Sequence, residues 1–66
     1  MGIFFSNHAR EQMIDRGISI DEVKEAIKRG EKSLQTPDKL LFHYKYYCVV
    51  SKKIGDNYFI ITVKPR

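Results

Sequence analysis

The chain has 66 residues, with twelve Lys/Arg against eight Asp/Glu and a net charge of +4. That length leaves room for one small core and no second domain, so residues 1–66 read as a single unit. The lone Cys48 excludes an internal disulfide, no Cys/His cluster has zinc-ligand spacing, and no apolar run approaches a membrane span of about 18 residues. These exclusions point to a cytoplasmic domain with no metal, no other cofactor and no membrane partner.

In chain order, Ile3-Phe4-Phe5 is too short for a signal core and reads as a short apolar lead-in or edge strand. Ser6 or Asn7 is placed to cap a first helix over about residues 7–16. Gly17 stands where a helix ends on a left-handed residue, and Ile18 can reach back to Met13. Ser19 and Glu22 spell a capping box, with Ile18 and Val23 as its hydrophobic staple. The second helix, about residues 19–29, carries Val23, Ala26 and Ile27 on one stripe and stops at Gly30.

Beyond Gly30 the apolar period changes to two. Strands are expected over about residues 32–36, 39–45, 46–53 and 58–64. Thr36-Pro37-Asp38 is the first turn, Lys45-Tyr46 a tight hairpin and Gly55-Asp56-Asn57 the last turn. A two-residue turn at Lys45-Tyr46 puts Phe42, Tyr44, Tyr47 and Val49 on one face, with Leu41, His43, Cys48, Val50 and Lys52 on the other. The better apolar match sets Phe59, Ile61 and Val63 beside the first group, which requires an odd connection or a bulge.

Charge is unevenly spread. Residues 1–31 balance at −1 and residues 32–66 at +5, and the basic half also holds Phe42, Tyr44, Tyr46, Tyr47, Tyr58 and Phe59. A basic, tyrosine-rich half points to a polyanion such as nucleic acid. The bland explanation is that edge-exposed sheets carry lysines against unwanted pairing.

The run His8-Ala9-x-x-Gln12-Met13-x-x-Arg16-Gly17-Ile18-Ser19 resembles a family of small domains of unknown function whose signature reads roughly H-A-x-x-R-M-x-x-R-G-I. That family looks related to the RelE/ParE-like toxins, within the barnase–colicin–RelE group of RNase folds. Tyr44-Lys45-Tyr46-Tyr47-Cys48-Val49-Val50 and Val63-Lys64-Pro65-Arg66 also resemble the later strands of RelE-type chains. The resemblance implies an α+β fold, with two N-terminal helices on a twisted antiparallel sheet of three or four strands. It further implies that the open sheet face meets RNA or a translating ribosome, and that a cognate antitoxin masks it. Two positions depart: Cys48 falls where RelE-type enzymes carry a phosphate-stabilising arginine, and Gln12 replaces the arginine of the helical motif.

Metal-free RNA cleavage needs a proton acceptor, a proton donor and cations around the phosphate. His43 and His8 are the candidate catalytic groups. His43 can equally be a cross-strand partner, and His8 can anchor its helix. Arg16, Lys45, Lys52, Lys53, Lys64 and Arg66 are candidate phosphate contacts, although Arg16 can instead pair with Glu22. Tyr46 and Tyr58 are the tyrosines best placed to stack on bases, whereas Tyr44 and Tyr47 suit the core. Glu11, Asp15, Asp21, Glu25 and Glu31 read as solvated helix charge.

The leading expectation is a RelE-like, toxin-type RNA-binding domain with metal-independent endoribonuclease activity as its candidate chemistry. Two alternatives remain open at this point: a non-catalytic domain of the same fold binding nucleic acid or protein, and a small orphan that forms a homodimer through its sheet edge.

Overall fold

The computed structural model describes residues 2–35 and 38–66. Its elements are β1 (Ile3–Phe5), α1 (Asn7–Arg16), α2 (Ile20–Arg29), β2 (Glu31–Gln35), β3 (Lys39–Tyr44), β4 (Tyr47–Ile54) and β5 (Asn57–Pro65). The five strands form one sheet in the order β1-β5-β4-β3-β2. Thr36 and Pro37 of the expected first turn lie outside the described residues.

The α+β class is as expected, but the sheet has five strands and is mixed rather than wholly antiparallel. The apolar lead-in comes back beside the last strand as a parallel edge strand, registering Ile3, Phe4 and Phe5 with Tyr58, Phe59 and Ile60. Two hydrogen bonds fasten its start: Tyr58 N–H donates to the Gly2 carbonyl at 2.8 Å, and Gly2 N–H donates to Asn57 Oδ1 at 2.9 Å.

Local signals set the helices. The Ser6 hydroxyl accepts from Ala9 N–H at 2.9 Å and caps α1. At the other end Gly17 takes φ 67°, so that its N–H reaches Ile14 O and Ile18 N–H reaches Met13 O, the two bonds of a Schellman turn. Ser19 and Glu22 complete the capping box of α2, with reciprocal bonds of 3.1 and 3.0 Å. Gly30 ends α2 in extended backbone, and its reason for being glycine is space: a Cβ there would meet the Ala26 carbonyl oxygen at 2.4 Å and that of His43 at 3.1 Å.

Both helices pack on one side of the sheet. Ala9 and Met13 of α1, Ile18, and Val23 and Ala26 of α2 are buried against Leu40, Phe42, Tyr47, Val49, Ile60 and Val63. Fully burying a side chain such as Val23 or Phe42 contributes roughly 1.5–3 kcal/mol, so this layer holds the fold together. The Tyr47 hydroxyl finds a partner inside it, donating to the Glu22 carbonyl at 2.8 Å.

The last strand departs from simple alternation. Gly55-Asp56 is a two-residue turn joining Ile54 to Asn57, with Gly55 at φ 60°. Continued unbroken, that register would turn Val63 away from the helices. A bulge between Val50/Thr62 and Ser51/Ile60 restores it, with Ile61 as the extra residue. Ile60 and Val63 therefore enter the helix-side core, while Phe59 and Ile61 go to the other face, where they were not expected. The Ser6 hydroxyl donates to the Ile61 carbonyl at 2.8 Å, and Ser6 N–H donates to the Ile60 carbonyl at 3.0 Å. One serine thus caps a helix and ties it to the bulge.

Candidate functional site

Among the described residues no helix lies over the second face of the sheet. Side chains of directly paired residues share a face, so the register arranges this open face in three rows. Glu31, His43, Cys48 and Lys64 cross it near the β3–β4 hairpin. Ser33, Leu41, Val50 and Thr62 form the middle row. Gln35, Lys39, Lys52, Phe59 and Phe4 form the row at the far end.

The middle of the face is a second, thinner apolar cluster of Leu41, Cys48 and Val50 with Ile61 against it. Cys48 is only 1% exposed although no helix covers it, and it packs with Leu41, Val50 and Ile61. It forms the floor between His43 and Lys64. Burial pushes its thiol pKa up, outweighing the nearby positive charges of Lys64 and Arg66, which pull the other way. The thiol is therefore neutral near pH 7 and does not compete for the cations around it.

Arg66 reaches this row from the end of the chain. Its N–H donates to the Tyr46 carbonyl at 3.1 Å, and its guanidinium lies 3.7 Å from the Glu31 carboxylate. The hairpin turn sits alongside, with Lys45 at φ 51°, its Nζ 5.4 Å from the Tyr44 ring centre, and Tyr46 exposed. His43 is half-buried, and its Nε2 lies 3.3 Å from the Ser33 hydroxyl. This end of the open face thus gathers Glu31, His43, Lys64 and Arg66, whereas Lys45 over the Tyr44 ring and Tyr46, 5.2 Å edge-on from Tyr47, turn to the helix side.

The other candidate residues lie elsewhere. His8 is exposed in the first turn of α1, so the sheet stands between it and His43 and the two histidines cannot act on one phosphate. Arg16 is exposed at the end of α1, also in the helix layer. Its suggested partner Glu22 is engaged in the capping box. Tyr58 turns toward the helices: Phe42 meets its ring edge-on at 5.8 Å and Lys53 Nζ lies 5.9 Å from its centre. Neither Tyr58 nor Lys53 belongs to the open face. Lys52 does, where it pairs with Asp38 at 3.1 Å.

Sequence reading missed three residues. Glu31 reads from the sequence as solvated helix charge, yet it opens β2 directly opposite His43. Phe59 reads from the sequence as core and Phe4 as part of a short lead-in or edge strand, yet they are Cα partners on the open face and are 36% and 56% exposed. The parallel pairing of β1 and the bulge at Ile61 put them there, and neither leaves a local signal.

A family model described as a domain of unknown function, DUF4258, matches residues 5–64. The chain belongs to this family. The match takes in both helices and the sheet from Phe5 to Lys64, so every row of the open face except the contribution of Phe4 lies within the DUF4258 domain. No curated protein and no solved structure gives a significant match. No helix among the described residues of this DUF4258 domain is long and apolar enough to cross a membrane.

Proposed function

We propose that this DUF4258 domain is a RelE-like, toxin-type RNA-binding domain that cleaves RNA without metal at the hairpin end of its open face. The observation that carries the reading is the row Glu31–His43–Cys48–Lys64, with Arg66 against Glu31. It sets a carboxylate, an imidazole and two cations on one uncovered surface.

In this reading the ionised carboxylate of Glu31 accepts the proton of an RNA 2′-hydroxyl as that oxygen attacks the adjacent phosphorus. The phosphorus–5′-oxygen bond breaks, and His43 donates a proton to the departing oxygen. The products are a 2′,3′-cyclic phosphate and a free 5′-hydroxyl. Lys64 and Arg66 offset the negative charge that grows on the phosphate oxygens. They supply the positive charge that RelE-type enzymes place at the position of Cys48, from the neighbouring strand and the chain end instead. A cognate antitoxin or the ribosome would cover the same face.

The test is induction of the wild-type chain in cells, with mapping of transcript ends, beside Glu31→Gln and His43→Ala. Growth arrest with new transcript ends, absent in both variants, is expected. Unchanged growth with intact transcripts would overturn the reading. The same fold acting as a binding module alone remains the second reading, favoured by the Arg66–Glu31 ion pair, which occupies the carboxylate. It predicts RNA binding with no new transcript ends.

A further inference from the structure

The far end of the open face carries a feature that the cleavage chemistry does not use. Phe4 of β1 and Phe59 of β5 are direct partners, Phe59 is followed across the sheet by Lys52 of β4, and Lys52 by Lys39 of β3. Adjacent strands lie roughly 4.8 Å apart, so the two phenylalanines leave neighbouring strands on the same face, and Lys52 and Lys39 follow them in the same row. The core does not require the rings: their chain neighbours Ile3, Phe5, Tyr58 and Ile60 are the ones turned to the helices.

We propose that Phe4, Phe59, Lys52 and Lys39 form a stacking shelf for the unpaired bases of a single-stranded RNA. The proposal rests on the RNA-binding reading above and specifies its substrate as unpaired. Bases in a duplex keep their faces covered by their neighbours, whereas an unpaired strand can lay its bases on exposed aromatic rings while its phosphates follow a line of cations. Charge favours this occupant over an apolar protein segment: Lys52 adjoins Phe59, Lys39 adjoins Lys52, and Lys64 lies further along the same strand as Phe59. The Asp38–Lys52 pair is half-exposed on both sides, and surface pairs of this kind contribute little, so a phosphate can replace the carboxylate. A strand lying on the shelf would run across the face toward the Glu31–His43 row.

The full chain is titrated into a short unstructured RNA carrying the fluorescent base 2-aminopurine, and separately into an RNA duplex of the same length. The comparison is wild type, Phe4→Leu/Phe59→Leu, and Lys39→Gln/Lys52→Gln, each checked for an unchanged thermal transition. Wild type should quench the base and prefer the single strand. The leucine pair keeps the apolar bulk but removes the ring faces, and should weaken single-strand binding about tenfold or more while leaving duplex binding alone. The glutamine pair should lower the salt dependence by roughly 0.7 per lysine. Single-strand binding as tight in the leucine pair as in wild type would overturn the shelf, as would equal losses on both RNAs. Concentration-dependent dimerisation lost in the leucine pair, with no RNA bound by wild type, would overturn it in favour of a second copy of the chain. Cleavage by His43-intact protein is scored separately, so a chain that binds without cutting removes the nuclease reading and leaves the shelf standing.

Discussion

Glu31 and His43 face one another across the first two residues of the β2–β3 ladder, the carboxylate 3.7 Å from the Arg66 guanidinium. Glu31 is largely exposed and Arg66 half-exposed, and ion pairs at the surface contribute about 0–1 kcal/mol. Glu31→Gln should therefore leave the thermal transition nearly unchanged. If Glu31 moves a proton, the same substitution should lower the cleavage rate by about 10²–10⁴-fold. Parallel calorimetry and single-turnover cleavage would separate the roles; a large loss of stability with a proportionate loss of activity would make Glu31 structural.

Tyr47 gives the fold a dependence on alkaline pH. Burial, with the nearby Glu22 charge next in size, pushes its hydroxyl from 10.0 to about 12. A group whose folded pKa is raised lends stability that is complete below the unfolded value and is lost as pH rises through the folded one. Wild type should thus lose stability between about pH 10 and pH 12 more steeply than Tyr47→Phe. The variant should be less stable at pH 7 by about 1 kcal/mol, because the Glu22 carbonyl loses its donor. Urea midpoints across that range for both proteins measure the difference; parallel curves would contradict it.

Gly17 and Gly30 should fail differently when replaced. Gly17 has open space but a left-handed backbone, so Gly17→Ala should cost about 1–2 kcal/mol. Gly17→Asn should recover part of that, since asparagine tolerates this conformation. Gly30 has an ordinary φ of −70° but two backbone oxygens where a Cβ would stand. Alanine and asparagine there should be equally damaging, by about 1–3 kcal/mol or more. Denaturant midpoints of the four variants test the contrast.

Cys48 should be inert. A thiol 1% exposed, with its pKa pushed up by burial, has neither access nor thiolate character at neutral pH. A thiol reagent should react only at the rate of unfolding, and should react at once in denaturant. Immediate modification of the native protein would mean that the open face breathes around its floor.

The helices were legible because their instructions are local. Ser6, Gly17, Ser19 and Glu22 act on backbone groups within a few residues, and each does in the structure what its spacing suggests. The β3–β4 faces were legible too, since a two-residue turn at Lys45-Tyr46 fixes the parity of Phe42, His43, Cys48 and Val49. What was hidden depends on distant partners. Nothing near Phe4 announces a parallel pairing with Phe59, and nothing near Ile61 announces a bulge whose carbonyl is taken by Ser6. Those two events decide which residues of β1 and β5 reach the open face. The histidine pair failed to assemble for the same reason: sequence spacing placed His8 on a helix and His43 on a strand without saying which side of the sheet each would take.

Metal-free cleavage at the Glu31–His43 row can be read directly from the ends it leaves on RNA. The most direct measurement incubates the purified chain with an unstructured RNA in the presence of a strong chelator and identifies the product ends, beside Glu31→Gln and His43→Ala. Wild type should leave 2′,3′-cyclic phosphate and 5′-hydroxyl ends, and both variants should leave the RNA intact. Intact RNA with wild type, or cleavage that the two substitutions leave unchanged, would contradict cleavage at this row.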